Sequence, residues 1–297
     1  FSQQKISRLL GNTLSDFVLQ PITLNIGCVD TDTIQEVGSD IMFLGPDGLR
    51  LLGATDKVGD FSIAVVSKPI QSEMTAFTGS STSFSSVVIR EKSQYRIFGY
   101  NGNVTTQNAV GVLGTQTIGD QTGALSWAEL RGIKAYVADS DYYGRVETAV
   151  FSNTDGYVYE MEQGNSFDGA NIIASFATPF VYINDPRVRK TFYKMVLYTD
   201  PQGGVTTSVN LKLDFDTLGS VQPETILLSN ETGTVGFYGS SSAKYGTTVY
   251  GNKLKKQFET QLIGSGFSVS IQFVSDSQNQ PFSLDAATIE YSTHDRR

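Results

Sequence analysis

Cysteine and histidine are almost missing from this sequence, at one residue each, and proline is scarce at 8 in 297. One cysteine rules out an intrachain disulfide, so the fold does not depend on an oxidising compartment. Cys28 lies in the apolar stretch Ile26-Gly27-Cys28-Val29 and is expected to be a buried core thiol with no imidazole partner. A Ser-His-Asp triad or a histidine-bound metal would have to use His294, three residues from the C-terminal Arg297, where a solvated tail residue is expected. Charged residues make up only 18%, fewer than helix-rich soluble chains carry on their exposed faces. No apolar run reaches the ~18 residues of a membrane span, and no secretory signal is visible. Basic residues are outnumbered, with a net charge of -8. Tight nucleic-acid binding needs clustered Lys and Arg and is disfavoured, whereas a wall that DNA slides past is compatible with this charge.

Glycine and aromatics are abundant: 29 Gly, 14 Tyr and 18 Phe. That composition suits many short strands joined by tight turns. Residues 5–18 are the exception. Ile6, Leu9, Leu10, Leu14, Phe17 and Val18 recur at helical spacing and predict a short helix ended by Pro21. From 33 onward the pattern is strand and turn. Strands are expected at 33–37, 41–44 and 49–52, the last two joined by the turn Gly45-Pro46-Asp47-Gly48. A similar unit returns at 86–99 around Lys92-Ser93. It returns again at 133–161, with strands at 133–137, 147–151 and 157–159 and the turn Asn153-Thr154-Asp155-Gly156.

Phe43 and Phe151 each stand four residues before an Asp-Gly pair, and the hairpin centres lie near 47, 92 and 155. A sheet repeating at about 45 residues is the pattern of a β-propeller blade. The longer second interval would hold an insertion around Asp139-Ser140-Asp141-Tyr142-Tyr143-Gly144. Three blades do not close a ring, and the chain starts at Phe1 rather than Met, so further blades are expected upstream or in residues 1–30.

Beyond 168 the strands lengthen. Residues 172–180, 191–198, 205–215, 225–228, 267–274 and 286–291 read as strands. Val209, Leu211, Leu213 and Phe215 alternate with Asn210, Lys212 and Asp214, one face buried and the other wet. The expected architecture is all-β: a partial β-propeller over 1–168, incomplete at its N-terminus, then a β-sandwich or jelly-roll-like domain over 169–297. Residues 239–248, rich in Gly and Ser around Tyr245, are expected to be an exposed loop.

The chemistry-bearing residues are few. Paired carboxylates could serve a glycosidase, and Asp30 with Asp32, Asp139 with Asp141, and Glu160 with Glu162 are the candidates. Each pair is equally a turn or a solvated face. The stretch from Asp139 to Gly144 partly matches a calcium loop, but Tyr143 replaces an oxygen ligand and Val150 stands where the loop needs Glu. No phosphate-binding or dinucleotide fingerprint is present. Asn103-Val104-Thr105 and Asn230-Glu231-Thr232 match the N-glycosylation triplet, which arises often by chance. The basic runs Arg187-Val188-Arg189-Lys190 and Lys253-Leu254-Lys255-Lys256 read as solvated edges, with docking to an acidic ring or a DNA backbone as the functional alternative. No catalytic, cofactor-binding or metal-binding residue is assigned.

Several stretches resemble the tail nozzle (tail tubular protein B-like) and related DNA-stabilising hub proteins of short-tailed bacteriophages. They are Ile26-Gly27-Cys28-Val29 with 33–38, 41–44 and 47–52; Gly156-Tyr157-Val158-Tyr159 with Gly164, 166–169, Thr178-Pro179-Phe180, Asp185-Pro186 and Lys190; and 281–284 with Ile289-Glu290-Tyr291 and Arg296-Arg297. The resemblance implies a propeller joined to a sandwich, assembled as a homohexameric ring at the distal tail. Its partners would be tail adaptor or portal-side proteins, tail fibres and phage double-stranded DNA passing through a channel. It implies no active site and no cofactor. A gate in such a ring would use loop tips such as 75–85, rich in Ser, Thr and Gly. Two other function classes remain open: a propeller glycosidase using Asp139 and Asp141, and a glycan-binding module using Tyr142, Tyr143, Tyr238 and Tyr245.

Overall fold

A computed structural model of the chain describes residues 1–58, 64–105, 108–116, 125–201, 206–217, 222–229, 257–278 and 282–294. The protein is mostly β, in several antiparallel sheets. It divides into two compact units, Phe1–Gln163 and Gly164–Arg297.

The first unit opens with a hairpin of β1 (Ile6–Leu10) and β2 (Val18–Thr23). Three meanders follow in chain order. The first is β3 (Gln35–Val37), β4 (Asp40–Gly45) and β5 (Gly48–Leu51). The second is β6 (Ser83–Ile89), β7 (Gln94–Tyr100), β8 (Val110–Gln116) and β9 (Leu125–Arg131). The third is β10 (Val137–Tyr143), β11 (Val146–Ser152) and β12 (Val158–Glu160). Two short helices, α1 (Leu52–Val58) and α2 (Gln71–Ser80), lie between the first two meanders.

β6 is buried on both faces. Phe84 and Val88 enter a core with Met42, Leu44, Leu49 and the α2 residues Met74 and Phe77. Val87 and Ile89 point the other way, toward Phe98, Ala138, Ala149 and Met161. Burying a large side chain of this kind stabilises by roughly 1.5–3 kcal/mol. The two layers of apolar contact therefore fix the middle meander between its neighbours.

Where these meanders face one another, their edges are not left open. Among the described residues, β3, β6 and β10 each lie at one edge of their sheet. Their outward backbone groups are met by side chains of the next sheet rather than by another ladder. The Phe84 N–H donates to Asp30 Oδ2 at 2.9 Å, the Ser86 hydroxyl to the Asp32 carbonyl at 2.8 Å, and Gln35 Nε2 to the Ser86 carbonyl at 3.0 Å. The Tyr95 hydroxyl donates to the Thr33 carbonyl at 2.9 Å. On the other side, the Ala138 N–H donates to Ser85 Oγ at 2.8 Å, and the Ser140 hydroxyl donates to the Val88 carbonyl.

The second unit has two antiparallel sheets. One runs β17 (Gln257–Gly266), β14 (Arg189–Pro201), β19 (Phe282–His294). The other runs β13 (Ile172–Ala177), β18 (Val269–Ser277), β15 (Thr206–Leu213), β16 (Ile226–Ser229). They share one core, with Met195 and Leu197 of β14 and Phe258 and Leu262 of β17 on one side. Val209, Leu211 and Leu213 of β15 and Val269, Ile271 and Phe273 of β18 form the other. β15 alternates strictly between half-buried and buried positions, as its sequence predicts, but it ends at Leu213: Phe215, expected on the buried face, lies in the following turn at φ +61° and is exposed.

Four expectations are corrected. Residues 5–18 form a hairpin arm, not a helix. Gly11 adopts φ +133°, and a Cβ there would stand 2.6 Å from the Asp16 carbonyl oxygen, so the chain reverses at 11–17. The strand expected at 133–137 begins only at Val137, and 139–144 is no insertion but the body and turn of β10. Residues 75–85, expected as mobile loop tips, belong to α2 and the start of β6. The run 187–190 is not a uniformly solvated edge: β14 is the central strand of its sheet. Lys190 is buried there, its ammonium donating to the carbonyls of Asp185 at 2.6 Å and Phe267 at 3.3 Å.

The edge bridges yield a direct test. Asp30→Ala removes both the carboxylate that receives the Phe84 N–H and the cap on the turn at Thr31–Thr33. Its expected cost is about 2–4 kcal/mol, from an orphaned buried donor and a lost cap. Asp32→Ala removes an exposed side chain and is expected to cost under about 0.5 kcal/mol. Urea unfolding of the two variants measures the difference; equal losses would contradict the bridging role of Asp30.

Candidate assembly surface

The hairpin arm is anchored at its base and apolar at its tip. Ile6 is buried with Ile26, Cys28 and Phe43 at the root. Arg8 donates to Gln20 Oε1 across the strands at 3.0 Å and faces Asp56 of α1 at 3.9 Å. Beyond Arg8 the residues turn apolar. Leu9 lies opposite Leu19, and Leu10 opposite Val18. Because successive strand residues point to opposite faces, the Leu9–Leu19 pair covers one face and Leu10–Val18 the other. Leu9 and Val18 are each 60% exposed, Leu19 66%, and Leu14 at the turn 91%; Phe17 is also exposed. The turn is ordered by its own polar groups: the Thr13 hydroxyl donates to Asp16 Oδ2 at 2.8 Å and the Asp16 N–H to the Thr13 carbonyl at 3.0 Å.

An isolated two-stranded hairpin is marginal in water. Single exposed apolar residues need no explanation, but a contiguous group marks an interaction site. With both faces apolar, this arm is suited to enclosure by another chain rather than to resting on a flat surface. The signal was in the sequence, since five of these residues, Leu9, Leu10, Leu14, Phe17 and Val18, carry the apparent helical period. Two adjacent apolar pairs, Leu9-Leu10 and Val18-Leu19, point instead to a strand wet or covered on both faces.

The residues singled out for chemistry do not converge. Asp30 is engaged at the edge of β6 as described, while Asp32 contributes only its carbonyl there. Asp139 and Asp141 share an exposed face of β10, each accepting from the backbone N–H of the next residue. Glu160 accepts from Gln163 Nε2, while Glu162, at φ +67°, closes on Lys92 and Arg96 of the β6–β7 hairpin. Arg96 is buried, and desolvation lowers its pKa from the ordinary value. A carboxylate the sequence did not single out, Glu147, is more fully engaged than these candidates. It accepts the N–H groups of Arg90 and Glu91 at 2.9 and 2.8 Å and ties β11 to the turn after β6.

His294 ends β19 opposite Arg189 and is part of the ladder rather than a loose tail. Tyr142 and Tyr143 are exposed on β10, Tyr143 to 89%. Tyr238, Tyr245, the loop at 239–248, Asn230 and the run 253–256 lie outside the described residues. Among the described residues no group of three or more His, Cys, Asp and Glu side chains is placed to hold a metal ion. Among the described residues no helix is long and apolar enough to cross a membrane. No known family matches the chain, and no curated protein matches it.

Cys28 is buried at the root of the arm, its thiol donating to the Asp30 carbonyl at 2.9 Å. Burial pushes its pKa up, more than its hydrogen bonds with Thr33 and Asp30 lower it. Only the thiolate attacks disulfide reagents. Native protein at pH 8 is therefore expected to react at least ~100-fold more slowly than urea-unfolded protein, opening being required first. Equal rates would contradict a buried thiol. The arm makes a second expectation. Compared at a concentration too low for copies to associate, the double variant Leu14→Ser, Phe17→Ser should keep the wild-type melting temperature within about 2 °C, because exposed side chains contribute little to the folded single chain. A fall of more than about 5 °C by calorimetry would mean that the tip packs on its own protein.

Proposed function

We propose that this chain is a structural subunit of a virion, a ring-forming nozzle or hub protein of a short-tailed phage tail. Its work is mechanical: a channel wall for DNA leaving the virion and a platform for fibres. It performs no chemistry, and it acts in the phage tail with other copies of itself, with adaptor or portal-side proteins, and with DNA that passes without being read.

The observation that carries this reading is the apolar arm, a surface made for another protein chain. Three further features agree with it. β3, β6 and β10, the first strands of three consecutive meanders, start roughly 50 residues apart. β6 also meets β3 on one side and β10 on the other. Successive propeller blades have that order, with further blades or neighbouring copies completing the circle. In the second unit, two antiparallel sheets over a common core fit a β-sandwich. The net charge of -8 suits a conduit that must release DNA rather than hold it.

A second reading rests on a different observation. Tyr142, Tyr143 and Tyr157 are all exposed in the β10–β12 region. Aromatic side chains of this kind could stack on a sugar face, as a glycan-binding module requires.

Native mass spectrometry of the full-length protein separates the two. A discrete assembly of about six copies is expected, closed cyclic symmetry being the common outcome for repeated subunit contacts. A particle of 32.3 kDa at all concentrations, binding a bacterial surface glycan, would overturn the ring and favour the module.

A further inference from the structure

The second unit contains an incompletely filled cleft between its two sheets. At one end the inner faces meet through large side chains: Leu213, Val269, Ile271 and Leu262 among them. At the other end they carry Ala174, Thr199, Thr207 and Ser275, too small to fill the space. A cavity of about 370 Å³ remains, walled by Phe176, Phe273, Phe282 and Leu284. The register between β14 and β19 shifts between Tyr198 and Thr199, where β19 carries one extra residue, Asp285. A bulge of this kind bends a strand and re-aims the side chains after it. The cleft lies just beyond the bulge.

Two properties mark the cleft as a receptor rather than a packing fault. It is accessible, since Phe176 on its wall is 59% exposed. Its wall also includes Thr199, only 2% exposed, whose hydroxyl has no hydrogen-bond partner. A buried hydroxyl left unpaired costs about 1–3 kcal/mol and calls for a group that completes it. The neighbouring hydroxyls are already used, Thr207 donating to the Val274 carbonyl and Ser275 to the Thr206 carbonyl.

We infer that this cleft receives the tip of the β1–β2 arm from a second copy of the chain. The inference rests on the reading of the protein as a ring-forming subunit and names the contact that builds the ring. The arm needs enclosure on both faces, and a slot between two sheets supplies that, where a flat face does not. The cleft wall carries no charged side chain, and the arm from Leu9 to Leu19 carries one, Asp16, whose carboxylate accepts the Thr13 hydroxyl. In a chain of net charge -8, a second copy is repelled least where one of the two surfaces is uncharged. Leu14 and Phe17 supply the apolar filling, and the polar turn of Asn12, Thr13 and Ser15 carries groups that can pair with the Thr199 hydroxyl. Leu14 is 91% exposed. Arm and cleft are different surfaces. Their contact is head to tail, the kind that closes into a ring when the rotation between copies divides the circle.

The test pairs two defective chains. Leu14→Ser, Phe17→Ser disables the arm and leaves the cleft; Ala174→Trp fills the cleft and leaves the arm. Native mass spectrometry of full-length protein should give a ring for the wild type, a monomer for each variant alone, and a one-to-one dimer for their mixture. Only one working arm–cleft pair exists in that mixture. The dimer also proves that both variants are folded. Thr199→Val, which removes only the hydroxyl, should weaken assembly about 3- to 10-fold, the worth of one hydrogen bond. A wild-type ring with either variant still assembling would overturn the arm–cleft contact while leaving the ring reading in place. The same holds if the two monomeric variants fail to pair. A wild type that never assembles would overturn both.

Discussion

Every meander in the first unit has an edge, and each edge strand has backbone groups that must be satisfied. That constraint organises the unit. A second ladder at each edge would merge the sheets into one; instead the meanders stay separate and are joined by side chains. Asp30, Gln35 and the Ser86 hydroxyl serve the boundary between the first two meanders. Ser85 and Ser140 serve the next. β6 is the strand common to both boundaries, and it is buried on both faces as well as bridged along its edge. Its short polar residues, Ser85 and Ser86, look out of place in a core strand until their partners are named.

The arm is where the same constraint is not met. Among the described residues, β1 and β2 pair only with each other, their outer edges have no ladder, and both faces are apolar toward the tip. The rest of the unit uses polar side chains to close such edges, whereas Arg8 and Gln20 bond each other across the arm and the polar residues of its tip serve its own turn. The second unit has the complementary defect: a layered core complete at one end and short of side chains at the other, where the Thr199 hydroxyl is unpaired. Surplus apolar surface on one unit and missing apolar volume on the other fit a protein completed by its neighbours. On these grounds we propose a mechanical role rather than a catalytic one. The carboxylates that could do chemistry are spent on turns and sheet boundaries or lie dispersed on exposed strands.

The parts legible in the sequence were those with local causes. Gly45-Pro46-Asp47-Gly48 and Asn153-Thr154-Asp155-Gly156 mark their hairpins because turn geometry depends on the turn residues themselves. β15 and β18 are legible because one face is buried and the other half-wet, which writes a period of two. α2 is not legible: its sequence, with four Thr or Ser and a Gly in ten residues, is a poor helix former, held by burying Met74 and Phe77. The stretch at 5–18 misled for the opposite reason. An arm apolar on both faces writes neither a strand period nor a helix period, and six apolar residues fell on helical spacing with Gly11 in their midst. Of the assembly surface, the arm residues were visible but their geometry was not. The cleft was invisible, because a vacancy between two sheets comes from residues distant in sequence, such as Ala174, Thr199 and Ser275.

Hydrogen–deuterium exchange at residues 7–20, followed as protein concentration is raised, tests most directly whether the arm is an assembly element. Exchange reports which backbone groups are open to water, segment by segment. If the arm is enclosed by a second copy, its amides become protected as assembly proceeds, while those of β6 stay protected throughout. Rapid exchange in the arm at every concentration, in a sample that has assembled, would contradict the central claim.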